Sequence, residues 1–149
     1  MATTVAKSKF TSKIVETLTL KNQPQQVITN FVVTDVTDYS HRIMSVATGT
    51  STIMNLGASD AAGRIEASRF KYMRITNLDD TNNVRLTFQL TSNTDTYEVV
   101  VGPKASHILT SKSGDITTGG ADASLEDITV IKGTAVTANC DVEVFTVST

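Results

Sequence analysis

A chain of 149 residues with 40% hydrophobic and 19% charged residues has room for one domain with a core of its own, while two domains would be cramped. Its formal net charge of −2 excludes the broad basic surface that phosphate backbones require, so no nucleic-acid partner is expected. The N-terminus lacks the apolar core of a secretory signal, and no run is long and apolar enough to cross a bilayer; the chain is expected to be made in a cytoplasm, with no membrane contact.

Residues 1–9 are small and polar and read as a flexible N-terminal arm that orders on contact with a neighbour, with Lys7 and Lys9 as its candidate partner-binding residues. Residues 10–149 read as a single domain. Over 10–20, Phe10, Ile14, Leu18 and Leu20 share one parity, which predicts a long strand. Lys21-Asn22-Gln23-Pro24 then turns the chain, and 27–34 makes a second strand with a polar exit over 35–40. Residues 42–46 and 51–56 flank Thr48-Gly49-Thr50 and predict a hairpin. The small residues of 57–63 form a loop, and 65–68 either continue it or make one helical turn.

The stretch 70–109 organises the rest. Residues 70–76 are rich in β-branched and aromatic side chains, and the Asn/Asp cluster over 77–82 breaks the strand into a loop. Over 83–91 the alternation is strict: Val84, Leu86, Phe88 and Leu90 on one face, Arg85, Thr87 and Gln89 on the other. That is the period-two pattern of a half-buried antiparallel strand. A further strand over 96–101 stops at Gly102-Pro103, and 105–110 follows as another. Residues 111–123 are rich in Gly and Thr and read as an exposed loop. The last runs, 128–132 and 142–147, are joined across Gly133 as a closing pair. Their apolar parity shifts between Val144 and Phe145, which requires a β-bulge or a strand covered on both faces.

No segment carries a sustained helical stripe. The expected fold is all-β: an antiparallel β-sandwich, jelly-roll-like, with little or no helix.

Chemistry is scarce in the pattern. His41 and His107 are far apart and have no Cys or His at ligand spacing, so both read as surface or turn residues. Asp79, Asp80, Asn82 and Asn83 offer oxygens to a Ca²⁺ ion, yet they lack the distal Glu of an EF-hand, and a solvated turn is the favoured reading. Glu126-Asp127 stands just before a strand and offers a carboxylate pair, yet successive strand residues point to opposite faces, poor geometry for acid/base work. No nucleophile elbow, phosphate loop or dinucleotide fingerprint occurs. Accordingly no catalytic, cofactor-binding or metal-binding residue is assigned, no cofactor is expected, and the chain is read as non-enzymatic. A glycan-binding module of this size would offer flat aromatic platforms, and with no Trp the candidates are Tyr39 and Tyr97. Cys140, the single cysteine, reads as a small buried or half-buried thiol.

Arg42-Ile43-Met44-Ser45-Val46, Ala61-Ala62-Gly63, the run over 72–81 and the later 97–109 resemble small virion structural proteins of tailed bacteriophages, over about half the chain. The resemblance implies a capsid decoration (cement) protein, commonly a homotrimer on the capsid surface, with the major capsid protein or other virion proteins as partners. It implies location in the virion, and it carries no residue-level binding motif. A tail or head-to-tail connector component, or a receptor- or glycan-binding β-sandwich, is the alternative. The physics suits cement: several modest contacts made at once give avidity without a deep pocket.

Overall fold

The computed structural model describes residues 6–57, 64–90, 96–110, 116–118, 121–123 and 127–149. It opens with a long hairpin, β1 (Ser8–Leu20) and β2 (Gln23–Val36). The connection is Lys21-Asn22, both with positive φ (49° and 65°), and Leu20 pairs with Gln23 across it. Two left-handed residues give the mirror-image turn whose twist matches the flanking strands. Gln23 and Pro24, expected in the turn, therefore belong to β2. Pro24 faces Thr19 one pair beyond the turn-closing pair, where its missing N–H would have pointed outward. Ser8 and Lys9 already lie in β1, and the arm expected before them falls, for 1–5, outside the described residues.

Eight strands and a short ninth then build a sandwich. β3 (Asp38–Val46), β4 (Ser51–Gly57), the short β5 (Arg64–Glu66) and one turn of 3-10 helix (Ala67–Arg69) lead to β6 (Phe70–Asn77) and β7 (Val84–Leu90). β8 (Thr96–Val101), β9 (Ser106–Leu109), a small separate hairpin of β10 (Ile116–Thr118) and β11 (Ala121–Ala123), β12 (Ile128–Ala135) and β13 (Cys140–Ser148) complete the chain. One sheet has the order β3-β13-β6-β9 and the other β5-β4-β12-β7-β8. Apart from β5 and the β7–β8 hairpin, successive sandwich strands change sheet: β3 in the first, β4 in the second, β6 back in the first, and so to β13. That wrapping is a jelly roll, with β5 added in parallel to β4 at one edge.

The core follows from period two. Val84, Leu86, Phe88 and Leu90 of β7 all point inward and are buried, as the alternation requires. They meet Met73 and Ile75 of β6, Ile128 and Ile131 of β12, and Val142 and Val144 of β13 in one cluster. Gly133 does not join two strands; it sits inside β12, where a Cβ would lie 2.9 Å from Ile53 Cδ1 and 3.1 Å from Val46 Cγ1. A hydrogen there lets β12 press against the facing sheet.

Two residues expected in loops or on the surface are interior. Asn77, read as a loop former, is fully buried at the end of β6, donating to Asn82 O at 2.8 Å and Val101 O at 3.2 Å and accepting from Asp79 N at 3.0 Å. His107 lies on β9 with its ring 5.5 Å from that of Phe88, and burial pushes its pKa down. Cys140 is buried, as expected, its thiol donating to Ala138 O at 3.3 Å; desolvation and then the charges of Asp79 and Asp141 push its pKa up.

Candidate interaction surface

The shifted parity of β13 has its explanation on the outer face of the four-stranded sheet. β13 keeps register with β3 through Val144 and Phe145, so no bulge falls there. Instead the strand is covered twice: Val142 and Val144 face the sandwich, while Phe145 and Val147 face outward under the root of the β1–β2 hairpin. Phe10, Phe31, Val33 and Val36 of the hairpin form a second apolar cluster with Tyr72, Ile108, Phe145 and Val147.

Tyr72 is the centre of that cluster. Its ring centroid lies 4.8 Å from Phe10 and 6.1 Å from both Phe31 and Phe145, and its hydroxyl is 3.3 Å from Ser12 Oγ. Tilted and stacked pairs at these separations each add about 1 kcal/mol to the burial of the rings. The joint between hairpin and body is also clamped by polar contacts. Arg69 Nε donates to Thr149 O at 2.5 Å and Arg69 Nη2 to Thr37 Oγ1 at 3.1 Å, and Thr37 N donates to Ser148 O at 3.1 Å. Opposite Ser8–Phe10 the second strand carries an extra residue, with Asp35 at φ 60°, and this bulge bends the hairpin at its root.

Beyond the root the hairpin has no cover among the described residues. Strands of 13 and 14 residues span roughly 40 Å, and the outer half carries apolar side chains on both faces. Opposed residues share a face, so Ile14, Leu18, Leu20 and Val27 continue the strip begun by Phe10, Phe31 and Val33. Val15 and Ile28 lie on the reverse face, as does Val32 nearer the root, and all seven of these side chains are exposed.

The outer face of the four-stranded sheet is likewise only half covered by the described residues. Past Phe145, Tyr39 and Ile43 of β3 stand 69% and 63% exposed. Between them His41 Nε2 donates to Glu143 Oε1 at 2.8 Å, and Arg74 Nη2 donates to Glu143 Oε2 at 2.6 Å. A groove of about 320 Å³ runs along the hairpin root between Phe10, Val36, Tyr39, Phe145 and Val147, with Lys9 and Asp38 on its rim.

Lys7 and Lys9 thus stand at the root of a structured hairpin. Lys7 Nζ lies 3.5 Å from Asp35 Oδ1, a pair so exposed that it contributes little. Lys9 is exposed beside the groove. The two tyrosines considered as sugar platforms part company: Tyr39 is open, whereas Tyr97 stacks on Phe88 at 4.4 Å and 7° inside the fold, and burial pushes its hydroxyl pKa up. In the Asp79 loop, Oδ1 accepts from Thr81 N at 2.8 Å and Asn82 N at 2.6 Å, so this oxygen caps its own turn; those bonds hold the carboxyl below its ordinary value. Asp80 pairs with Lys104 Nζ at 2.8 Å. Among the described residues no three His, Cys, Asp or Glu side chains gather at metal-binding distance.

The hairpin surface does not emerge from the strand pattern alone, although a signal for it exists. The doublets Ile14-Val15, Val27-Ile28 and Val32-Val33 place apolar residues on both parities, which a ribbon with one buried face does not need. Comparison of the chain with family models, with curated proteins and with solved structures finds no match, so the surface is interpreted from its own geometry.

Proposed function

We propose that this chain is a non-enzymatic structural protein of a phage virion, of the capsid decoration type, which binds the capsid surface as a homotrimer and stabilises the head. The observation that carries the proposal is the β1–β2 hairpin: a clamped root on a jelly roll, and an outer half with apolar side chains on both faces. Such a projection is built for contact with protein. Apolar patches beyond a few hundred Å² are uncommon on soluble monomers and mark interaction sites. The resemblance to small virion proteins of tailed phages supplies the setting, and multiple copies on a repeating lattice supply the avidity.

The test is co-sedimentation of the purified chain with undecorated phage heads, followed by thermal disruption of the particles. Saturable binding in proportion to the capsid subunits, with heads that disrupt at higher temperature, is the expected result. Absence of binding at micromolar protein overturns it. A tail or connector component would use the same hairpin; immunogold labelling at one vertex or along the tail, in place of the whole head, would assign that position.

A further inference from the structure

We infer that the outer half of the β1–β2 hairpin docks on a second copy of this chain, against the uncovered part of that copy's four-stranded sheet around Tyr39 and Ile43. The inference rests on the assembly reading above and names the contact that would hold the oligomer together.

Area is the first argument. The four exposed apolar side chains on the strip face, Ile14, Leu18, Leu20 and Val27, present on the order of 350 Å², close to the apolar share, somewhat over half, of the roughly 800 Å² that each partner contributes to a standard interface. The open tyrosine and isoleucine on β3 supply apolar area on the receiving side, so one hairpin seated on one sheet face makes the apolar centre of such a contact, with the polar side chains around it as the rim.

Continuity is the second. The hairpin face that carries Phe10, Phe31 and Val33 onto the chain's own Tyr72 is the face that carries Ile14, Leu18, Leu20 and Val27 outward. The apolar strip therefore runs from a contact the chain makes with itself to a length it leaves open. The receiving surface shows the same division: Phe145 and Val147 lie under the root, while Tyr39 and Ile43, on the same side of the same sheet, stand clear.

Stability is the third. A two-stranded ribbon alone in water is marginal, and it becomes stable when a further layer covers an apolar face. A second copy brings that layer, because every copy carries both the hairpin and the open sheet face. The contact is heterologous, donor on one copy and acceptor on the next, and such contacts close into rings when the rotation allows. A ring of three is the homotrimer of the proposed function.

The experiment measures absolute mass by light scattering over micromolar concentrations for four samples: the full chain, a hairpin variant (L18K, L20K and V27K), a face variant (Y39S and I43K), and an equimolar mixture of the two variants. All five positions are more than half exposed, and circular dichroism checks that both variants keep the fold. The full chain is expected to form a stable oligomer, and each variant alone to associate roughly a hundredfold more weakly or worse. The mixture should recover a species of one copy of each, since one supplies an intact face and the other an intact hairpin. A full chain that stays monomeric at every concentration overturns the inference, as do variants that keep the full chain's mass. Particle binding measured in parallel separates the two proposals. A monomeric chain that coats heads and loses them on the hairpin substitutions shows the hairpin meeting a different virion protein: the self-contact fails and the function stands. A stable oligomer that ignores every phage particle shows the reverse.

Discussion

Replacing Tyr72 by Ala should release the hairpin root without unfolding the sandwich. The ring is 4% exposed and touches Phe10, Phe31 and Phe145, with its hydroxyl near Ser12. Truncating a buried aromatic ring to Ala costs about 3–5 kcal/mol where the surroundings stay in place. Here one wall of the site is a two-stranded ribbon that can lift away, so the loss falls on hairpin docking. Taking about 3 kcal/mol from that docking raises the undocked population by roughly a hundredfold. Native-state hydrogen exchange reads this directly: amides of Ser8–Leu20 and Gln23–Val36 near the root lose protection by about that factor, while those of Val84–Leu90 and Ile128–Ala135 keep theirs. Phe88→Ala serves as the contrast. Its ring is fully buried between the sheets, and its loss should lower protection everywhere. Uniform loss across hairpin and sandwich in Tyr72→Ala would refute the division into two separately stable layers.

Gly133→Ala should cost about 1–3 kcal/mol in urea unfolding, because the new methyl meets Ile53 and Val46 at 2.9 and 3.1 Å in a closed core. Asn77→Ala removes the partner of Val101 O, Asn82 O and Asp79 N at once, and a loss of about 2–4 kcal/mol is expected by the same assay. At the hairpin tip, changing Lys21-Asn22 to Asn-Gly relieves the two left-handed residues and should raise hairpin stability by about 0.5–1 kcal/mol, seen as slower exchange near the tip. His107 gives a pH dependence: burial holds its folded pKa below the ordinary 6.5, so its neutral ring costs nothing above that value. As pH falls through 6.5 the unfolded chain takes up the proton first, and stability declines until the folded pKa is reached. His107→Gln should flatten that part of the stability–pH curve; an unchanged slope would place the titrating group elsewhere.

The sandwich was legible because its strands obey one rule. β7 must bury one parity and expose the other, and the alternation of Val84, Leu86, Phe88 and Leu90 with Arg85, Thr87 and Gln89 states this outright. Turn chemistry placed most breaks for the same local reason. It failed where a residue that favours turns serves tertiary packing instead. Asn77 is a buried connector of three backbone groups, and Gly133 is a strand residue that yields space to Ile53 and Val46. The hairpin exposes the deeper limit. Phe10, Ile14, Leu18 and Leu20 stand on one parity of one strand, and that shared parity does not separate the first from the others. Phe10 finds Tyr72 of its own chain; Leu18 and Leu20, some 25–35 Å further along at about 3.3 Å per residue, reach past the body and find none among the described residues. A hydrophobic period records that a face must be covered and leaves open by whose chain. On β13 the doubled apolar parity was satisfied within the molecule, by the root of the hairpin. On the outer hairpin the doubled parity of Ile14-Val15 and Val27-Ile28 finds no cover among the described residues, and the same physical demand that put Phe145 and Val147 under cover is the one that the proposed contact with a second copy would meet.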